Sequence, residues 1–464
     1  MKNALLPLSR RSLLALGVRS SFCFVVASLF PIRSALALRE DEGRDAAALV
    51  KSIRIPHFAS RSVRVSAEVD PQGADGREVI QRQIDALNRL GGGRVIIPPG
   101  TWTIAGPLRL TSNIDLHLEE GAVLLFSDDP DDYLPSVLTR WEGTEVFGYS
   151  PFIYAYHAHN VAITGRGTIS GNRSSPSSAW GWKDARQQRD LRGAGRDGDP
   201  LYDRVYGKRG LLHPSLIQFF GCSSVLVEGI STVDALFWGT HFVYCNDVTV
   251  RGLKVDSLGS NNDGVDIDSS YRVLVEKCVF RTGDDCIAIK SGRDRDGRSI
   301  GKPSEDIVIR DCIMNESKSA AIALGSEMSG GIRSVFVHRC VMRDVETVVD
   351  IKSNLDRGGI IENIRIQDLS VEGSETVLEI TTEYHGYAGG NNVPLIRDVR
   401  LDDARVTRSE RGVVIKGAAQ SPVEDVEIDR LRISSCDKPM HVVNAKGISV
   451  TRSVVNGQAL EYRP

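Results

Sequence analysis

Ten short phrases of one make recur along the chain, and they limit the fold more than any other feature. "NVAITGRGTISG", "SVLVEGISTVDA", "DVTVRGLKVDS", "RVLVEKCVFRTG" and "DIVIRDCIMNES" are followed by "SVFVHRCVMRDV", "NIRIQDLSVEG", "DVRLDDARVTRS", "DVEIDRLRISSC" and "GISVTRSVVNG". From residue 225 onward their starts lie about 22 to 35 residues apart, the length of one solenoid repeat. Each has a period-two pattern rich in Val and Ile, followed by Gly, Asp, Asn or Ser. A unit this short cannot bury its apolar face alone, so successive units must stack. The expected fold is all-β, a parallel β-helix with interior side chains stacked along the axis. A sandwich would show hairpin turns at shorter spacing.

The cysteines follow the same period. Cys278, Cys312 and Cys340 end "VLVEKC", "IVIRDC" and "VFVHRC", and Cys222 and Cys245 precede the related "SSVLVEG" and "NDVTVRG". Recurrence at one place in the repeat predicts stacked interior thiols rather than a disulfide framework. No C-x-x-C pair or histidine cluster suggests zinc.

An open solenoid end needs a cover. Arg77 to Leu90 places Ile80, Ile84 and Leu87 at helical spacing before Gly91, and Asp75 with Glu78 fits a capping box, so 77–90 is expected to be an amphipathic cap. Residues 173–210 form a long polar insertion. Trp180, Trp182, Tyr202 and Tyr206 could make it a sugar-stacking flap, or it could be a surface loop. At the N-terminus, Ser9-Arg10-Arg11-Ser12-Leu13-Leu14 precedes an apolar segment, and Ala35-Leu36-Ala37 fits a cleavage site. Residues 1–37 are thus expected to be a twin-arginine-like export signal. Residues 38–68 follow as an N-terminal segment, then a β-helix body over 69–464, exported to the periplasm or beyond, monomeric and without stable membrane insertion. The formal charge of −3 includes Lys2, Arg10, Arg11, Arg19 and Arg33 in the signal, which holds no acid, so the remainder stands at −8. Such a body argues against nucleic acid as a partner.

Two acidic phrases lie one repeat apart: Asn261-Asn262-Asp263-Gly264-Val265-Asp266-Ile267-Asp268 and Gly283-Asp284-Asp285-Cys286-Ile287-Ala288-Ile289-Lys290. Coils stack about 4.8 Å apart, so Asp263 can approach Asp284 and Asp285 on one outer face. Three carboxyls so placed cannot all ionise freely; one keeps its proton and stands as an acid beside bases, which glycoside hydrolysis requires. Asp, Asn and Gly also fill ordinary β-helix turns, and clustered carboxylates suit calcium. The pairing of both phrases favours catalysis.

"NNDGVDI" followed by "GDDCIAIKSG" resembles the paired signatures of family 28 glycoside hydrolases, the polygalacturonase family, and the bacterial exo-acting branch above all. "GGGRVIIPPGTW", "NIDLHLEEGAVLLFSDDPDDY", "FWGTHFVYCNDV" and "LGSEMSGGIRSVFV" match as well, from about Val69 to near Tyr387. The resemblance implies a right-handed parallel β-helix of the pectin-lyase-like kind and hydrolysis of a pectic polysaccharide or oligosaccharide with inversion. It also implies Asp284 as general acid, Asp263 and Asp285 activating water, and no metal or organic cofactor.

Two expected features depart. Where the family carries Gly-His-Gly, this chain has Lys318-Ser319-Ala320-Ala321. Where the family carries Arg-Ile-Lys to hold a carboxylate, it has Asp350-Ile351-Lys352. An anion in place of a guanidinium disfavours a carboxylate there, so a neutral or rhamnose-containing unit beside the cleaved bond is expected. Lys352, Asp350, Lys290, His241, Glu327 and Tyr384, with His385 beside it, are the candidate substrate contacts. The rival readings are a non-catalytic carbohydrate-binding β-helix and a calcium-dependent lyase or epimerase.

Overall fold

The computed structural model describes residues 40–66, 76–176, 178–181, 185–207 and 212–462. The expected export segment 1–37, the start of the body at Val69, Asp75 of the capping box and Trp182 lie outside the described residues. The repeats form a right-handed parallel β-helix. Val225, Val248, Val273, Ile307, Val335, Ile364, Val399, Val426 and Ile448 pair in one unbroken register from coil to coil. Stacking hides these side chains behind their neighbours above and below, Ile448 at the end of the column only in part, so period-two phrases become a continuous column. All seven described cysteines are free and buried. The Cys222 and Cys245 thiols reach back to the Ala155 and Phe219 carbonyls of the preceding coil, 3.4 and 3.2 Å away, which places them as stacked interior groups.

The helix Gly76–Arg89 buries Ile80, Ile84 and Leu87 together with Val79 over the first coils. A second helix, Glu40–Ser52, lies in the segment for which the sequence offered no element. Its Ala46, with Ile53 beyond it, packs on Leu274 and Val308 on the outside of the solenoid. The described residues of the insertion form part of the wall: a helix Ala185–Asp197, followed by a short strand Val205–Tyr206 paired with Thr144–Gly148. Trp180 does not stand free as a flap residue. It is 1 % exposed, among Tyr133, Tyr149 and Phe152, because an indole buried there removes a large apolar surface from water.

One sheet carries the acidic phrases. Thr240, Val265, Ile287, Ile322 and Val349 are register partners on it, and the next residue of each strand points outward. Glycines set the approach of the coils just before these strands. A Cβ on Gly283 would stand 2.1 Å from the Gly259 carbonyl oxygen. Gly283→Ala is therefore expected to cost about 1–3 kcal/mol of stability, the usual range for overpacking. It should also lower kcat by moving Asp284; urea unfolding and initial rates check both.

Candidate active site

Asp263 stands two residues before the strand Val265–Asp268, and Asp285 two before the strand Ile287–Lys290. The Gly264 N–H donates to the Asp285 carbonyl at 3.0 Å and the Gly239 N–H to the Asp263 carbonyl at 2.8 Å. The two aspartates thus occupy equivalent places on stacked coils, and Asp284 stands beside them. One carboxyl oxygen from each of Asp263, Asp284 and Asp285 lies within 4.8 Å of the others, on the wall of a cavity of about 180 Å³. Among the described residues these three are also the one group whose spacing could take a cation. Two ammonium groups already supply the positive charge, however. Lys290 Nζ is 3.8 Å from Asp263, and Lys352 Nζ is 3.4 Å from Asp285.

The three environments differ. Asp285 is 3 % exposed, and burial alone would raise its pKa; Lys352, Lys290, the Ser319 hydroxyl and the Ala320 N–H outweigh this and hold it below the usual range. The latter two donate to its Oδ1 at 2.6 and 3.0 Å. Asp284 is half-buried, and burial with the neighbouring Asp285 charge pushes its pKa up. Its Oδ1 accepts the Asp285 N–H at 3.0 Å, while Thr282 and Ser317 hydroxyls fix its carbonyl at 2.7 and 2.8 Å. Asp263, 2 % exposed, is pushed well up by burial, then by Asp266 and Asp284. The site therefore offers a carboxylic acid and a stabilised carboxylate within one cavity, the pairing that acid–base chemistry at a glycosidic bond needs.

Lys290 lies between Asp263 and Glu327 at 3.8 and 3.5 Å, with its Nζ 4.6 Å from the Trp238 ring centroid. Lys352 reaches Asp350 at 3.0 Å and lies 5.5 Å from the Tyr384 ring. Asp350 thus neutralises the lysine beside it, and it faces a second groove of about 750 Å³ lined also by Glu346, Glu379, Glu383, Arg411 and Lys416. Tyr384, whose hydroxyl is pushed up to about 12 by burial, and His385 line both spaces. In the stretch Lys318-Ser319-Ala320-Ala321, Ser319 supplies the hydroxyl that holds Asp285.

His241 does not line the cleft. It is fully buried beneath it, its Nδ1 2.9 Å from the Gln218 amide and its Nε2 3.7 Å from Asp268, which Arg140 pairs at 2.9 Å. Its outward register position, beside Asp266, is roofed by Trp238, whose ring stands 4.8 Å away and perpendicular.

Residues outside the two acidic phrases complete the cavity. Arg192, from the insertion helix, donates from Nε to Glu142 at 3.0 Å; Arg293 donates to Glu327 at 2.7 Å; and Arg357 lines the same wall. Burial and the nearby Arg357 bring Arg293 down to about 10. Glu142 sits at the tip of the hairpin Val137–Trp141 with Thr144–Gly148, at φ 42°, a left-handed conformation that costs energy for a side chain of this kind. Only Arg293, three residues beyond Lys290, had a position that pointed here.

The model of glycosyl hydrolases family 28 matches residues 138–454, which contain every one of these carboxyls. The chain belongs to this family. A probable polygalacturonase of Vitis vinifera is 27 % identical over 456 residues, 93 % of this chain and 87 % of the relative. An exo-poly-alpha-D-galacturonosidase of Dickeya chrysanthemi is 25 % identical over 315 residues, covering 60 % and 50 % of the two chains. In structure, the chain resembles a hyperthermoactive exopolygalacturonase from Thermotoga maritima, with TM-score 0.79 and 36 % identity over 88 % of this chain and 93 % of that one. This family 28 member is accordingly a glycosidase that hydrolyses O-glycosyl bonds. Among its described residues no helix is long and apolar enough to cross a membrane.

Proposed function

We propose that this chain is an exported, inverting, exo-acting hydrolase of pectic polysaccharides or oligosaccharides. The observation that carries the reading is the division of environment among three adjacent carboxyls. Asp284, with its raised pKa, gives its proton to the leaving oxygen; Asp285, held ionised, together with Asp263, orients and deprotonates the attacking water. Carboxyls this close are by spacing alone those of a retaining pair. Membership of family 28 and two carboxylates available to hold water support inversion. Anomer-resolved NMR of the first product should show a configuration opposite to that of the cleaved bond; the same configuration would replace this mechanism by a covalent one.

Exo action is supported by the wall of Arg192 and Glu142 that closes the smaller cavity, and by the exo-acting relatives. The terminal sugar occupies that cavity, where Arg192, Arg293 and Arg357 suit an acidic unit. The unit across the bond meets Asp350 instead of an arginine and is neutral or rhamnose-like. A panel of pectic polysaccharides and oligosaccharides, with and without chelator, tests this. Saturated monosaccharide released without regard to chelator is expected, and unsaturated calcium-dependent products would mean a lyase. No turnover on any member would leave a binding protein. Arg192→Ala should lower kcat/KM by about 10- to 100-fold, the loss of one charged hydrogen bond, and mainly for substrates with an acidic terminal unit.

A further inference from the structure

Asp266 is absent from the mechanism above, yet it is the carboxyl with the most unusual surroundings. It is fully buried, three residues beyond Asp263, and neither of its oxygens has a hydrogen-bond donor among the described residues. One oxygen of Asp263 is equally without a donor. The groups that face Asp266 are few. Asp263 and Asp268 come from its own segment, and His241 is its register partner on the preceding coil. Lys290 and the Asp285 charge come from the following one. Its register partner on that side is Ala288, which offers nothing polar. Lys290 Nζ is 3.8 Å from Asp266 Oδ1 and 3.8 Å from Asp263 Oδ2, too far for a strong hydrogen bond to either and shared with Glu327 besides.

Asp263 and Asp266 lie within side-chain hydrogen-bonding reach of each other. Two carboxylates cannot bond to each other without a proton between them, and burying both as anions beside one lysine would be costly. A carboxyl pair of this kind titrates as a unit and holds one proton over a wide range.

We propose that Asp266 is a positioning residue that keeps this proton, so that as a neutral acid it donates to Asp263 and leaves Asp263 ionised toward the cavity. Its location decides the direction. Asp266 is sealed from the cavity, whereas Asp263 lines it and can be compensated there by water or substrate. Burial and the Asp285 charge favour the protonated form of Asp266, while Lys290 and the hydrogen bond with Asp263 pull against it, and burial raises Asp263 as well; the enclosure of Asp266 and the open side of Asp263 place the shared proton on Asp266. Asp263 thereby gains a fixed orientation, and the cluster of Asp263, Asp266, Asp284 and Asp285 carries one negative charge fewer than its four carboxyls suggest. The inference rests on the hydrolase reading for its kinetic consequence but not for the proton itself.

The two variants Asp266→Asn and Asp266→Ala separate this role from a merely structural one. The asparagine amide is a permanent donor that mimics the neutral acid, with its oxygen left for Lys290. D266N should keep kcat within about tenfold of wild type, while D266A should lose about 100-fold in kcat with little change in KM. Thermal unfolding confirms that each is folded, and Asp266→Val, closer in volume, replaces D266A if that variant is not. D266N as impaired as D266A would overturn the proposal, because an ionised Asp266 would then be what the site needs. Infrared difference spectra give a readout without turnover. A protonated-carboxyl band present at neutral pH in the wild type and missing in D266N is expected. Its absence in the wild type overturns the proposal even if the panel of substrates reveals no hydrolysis.

Discussion

Asp284→Asn is expected to lower kcat by about 10²–10⁴-fold, the range supplied by a positioned acid, with KM little changed. Asparagine keeps the oxygen that accepts the Asp285 N–H but has no proton to give to the departing oxygen. The pH profile should carry the same signature. The raised pKa of Asp284 places the alkaline limb of kcat above the ordinary carboxylate range, and the residual activity of the variant should lose that limb. Stability should move the other way. A carboxyl whose folded pKa lies above its unfolded value favours the native state at low pH. That contribution is lost as pH rises from the unfolded value through the folded one. Asparagine has no such loss, so the unfolding midpoint of the variant should equal or exceed that of the wild type at neutral pH. A variant retaining a tenth or more of wild-type kcat would remove Asp284 from the acid role. Asp263, the other carboxyl with a raised pKa in the cavity, would then be the acid to test.

The solenoid was legible because its physics is one-dimensional. Each phrase repeats the same inward positions, so Val225, Val248 and Val273 could be aligned by eye before any register was known, and so could the thiols of Cys278, Cys312 and Cys340. The aspartate cluster was legible for the same reason, since Asp263 and Asp285 are one coil apart in a fold whose period is visible. What the period does not encode is whatever comes from outside it. Arg192 lies in an insertion, Glu142 on a hairpin off the solenoid, and Arg357 in a loop beyond its strand. No spacing rule brings these to one wall. His241 fails in a different way: it holds an outward position, but the Trp238 ring covers it, and tertiary contacts of that kind leave no periodic trace. The exchange of Arg for Asp at position 350, two residues from the lysine it pairs with, was visible, while that lysine's second bond, to Asp285, was not.

That second bond underlies the last prediction. Lys352→Met keeps the length of the side chain but removes the ammonium that stands 3.4 Å from Asp285, and Asp350 loses its partner at the same time. Breaking a buried pair while leaving its charge behind typically costs about 3–5 kcal/mol, and here two carboxylates are left. The cost should depend on pH in a direction that identifies its source. In the wild type the folded pKa of Asp285 lies below its unfolded value of about 3.9. It therefore contributes stability above that pH and loses it as pH falls through the folded value. Without Lys352, burial governs and the folded pKa rises, so the contribution becomes a penalty above about pH 4. Urea unfolding over a pH series should show the wild type and variant far apart at neutral pH and converging as pH falls through about 4. The acid limb of kcat/KM should shift upward in the variant, because the carboxylate that holds water now ionises only at higher pH. A stability gap that does not change with pH would mean that Lys352 acts through its packing alone. Asp285 would then owe its ionised state to Ser319 and the Ala320 N–H.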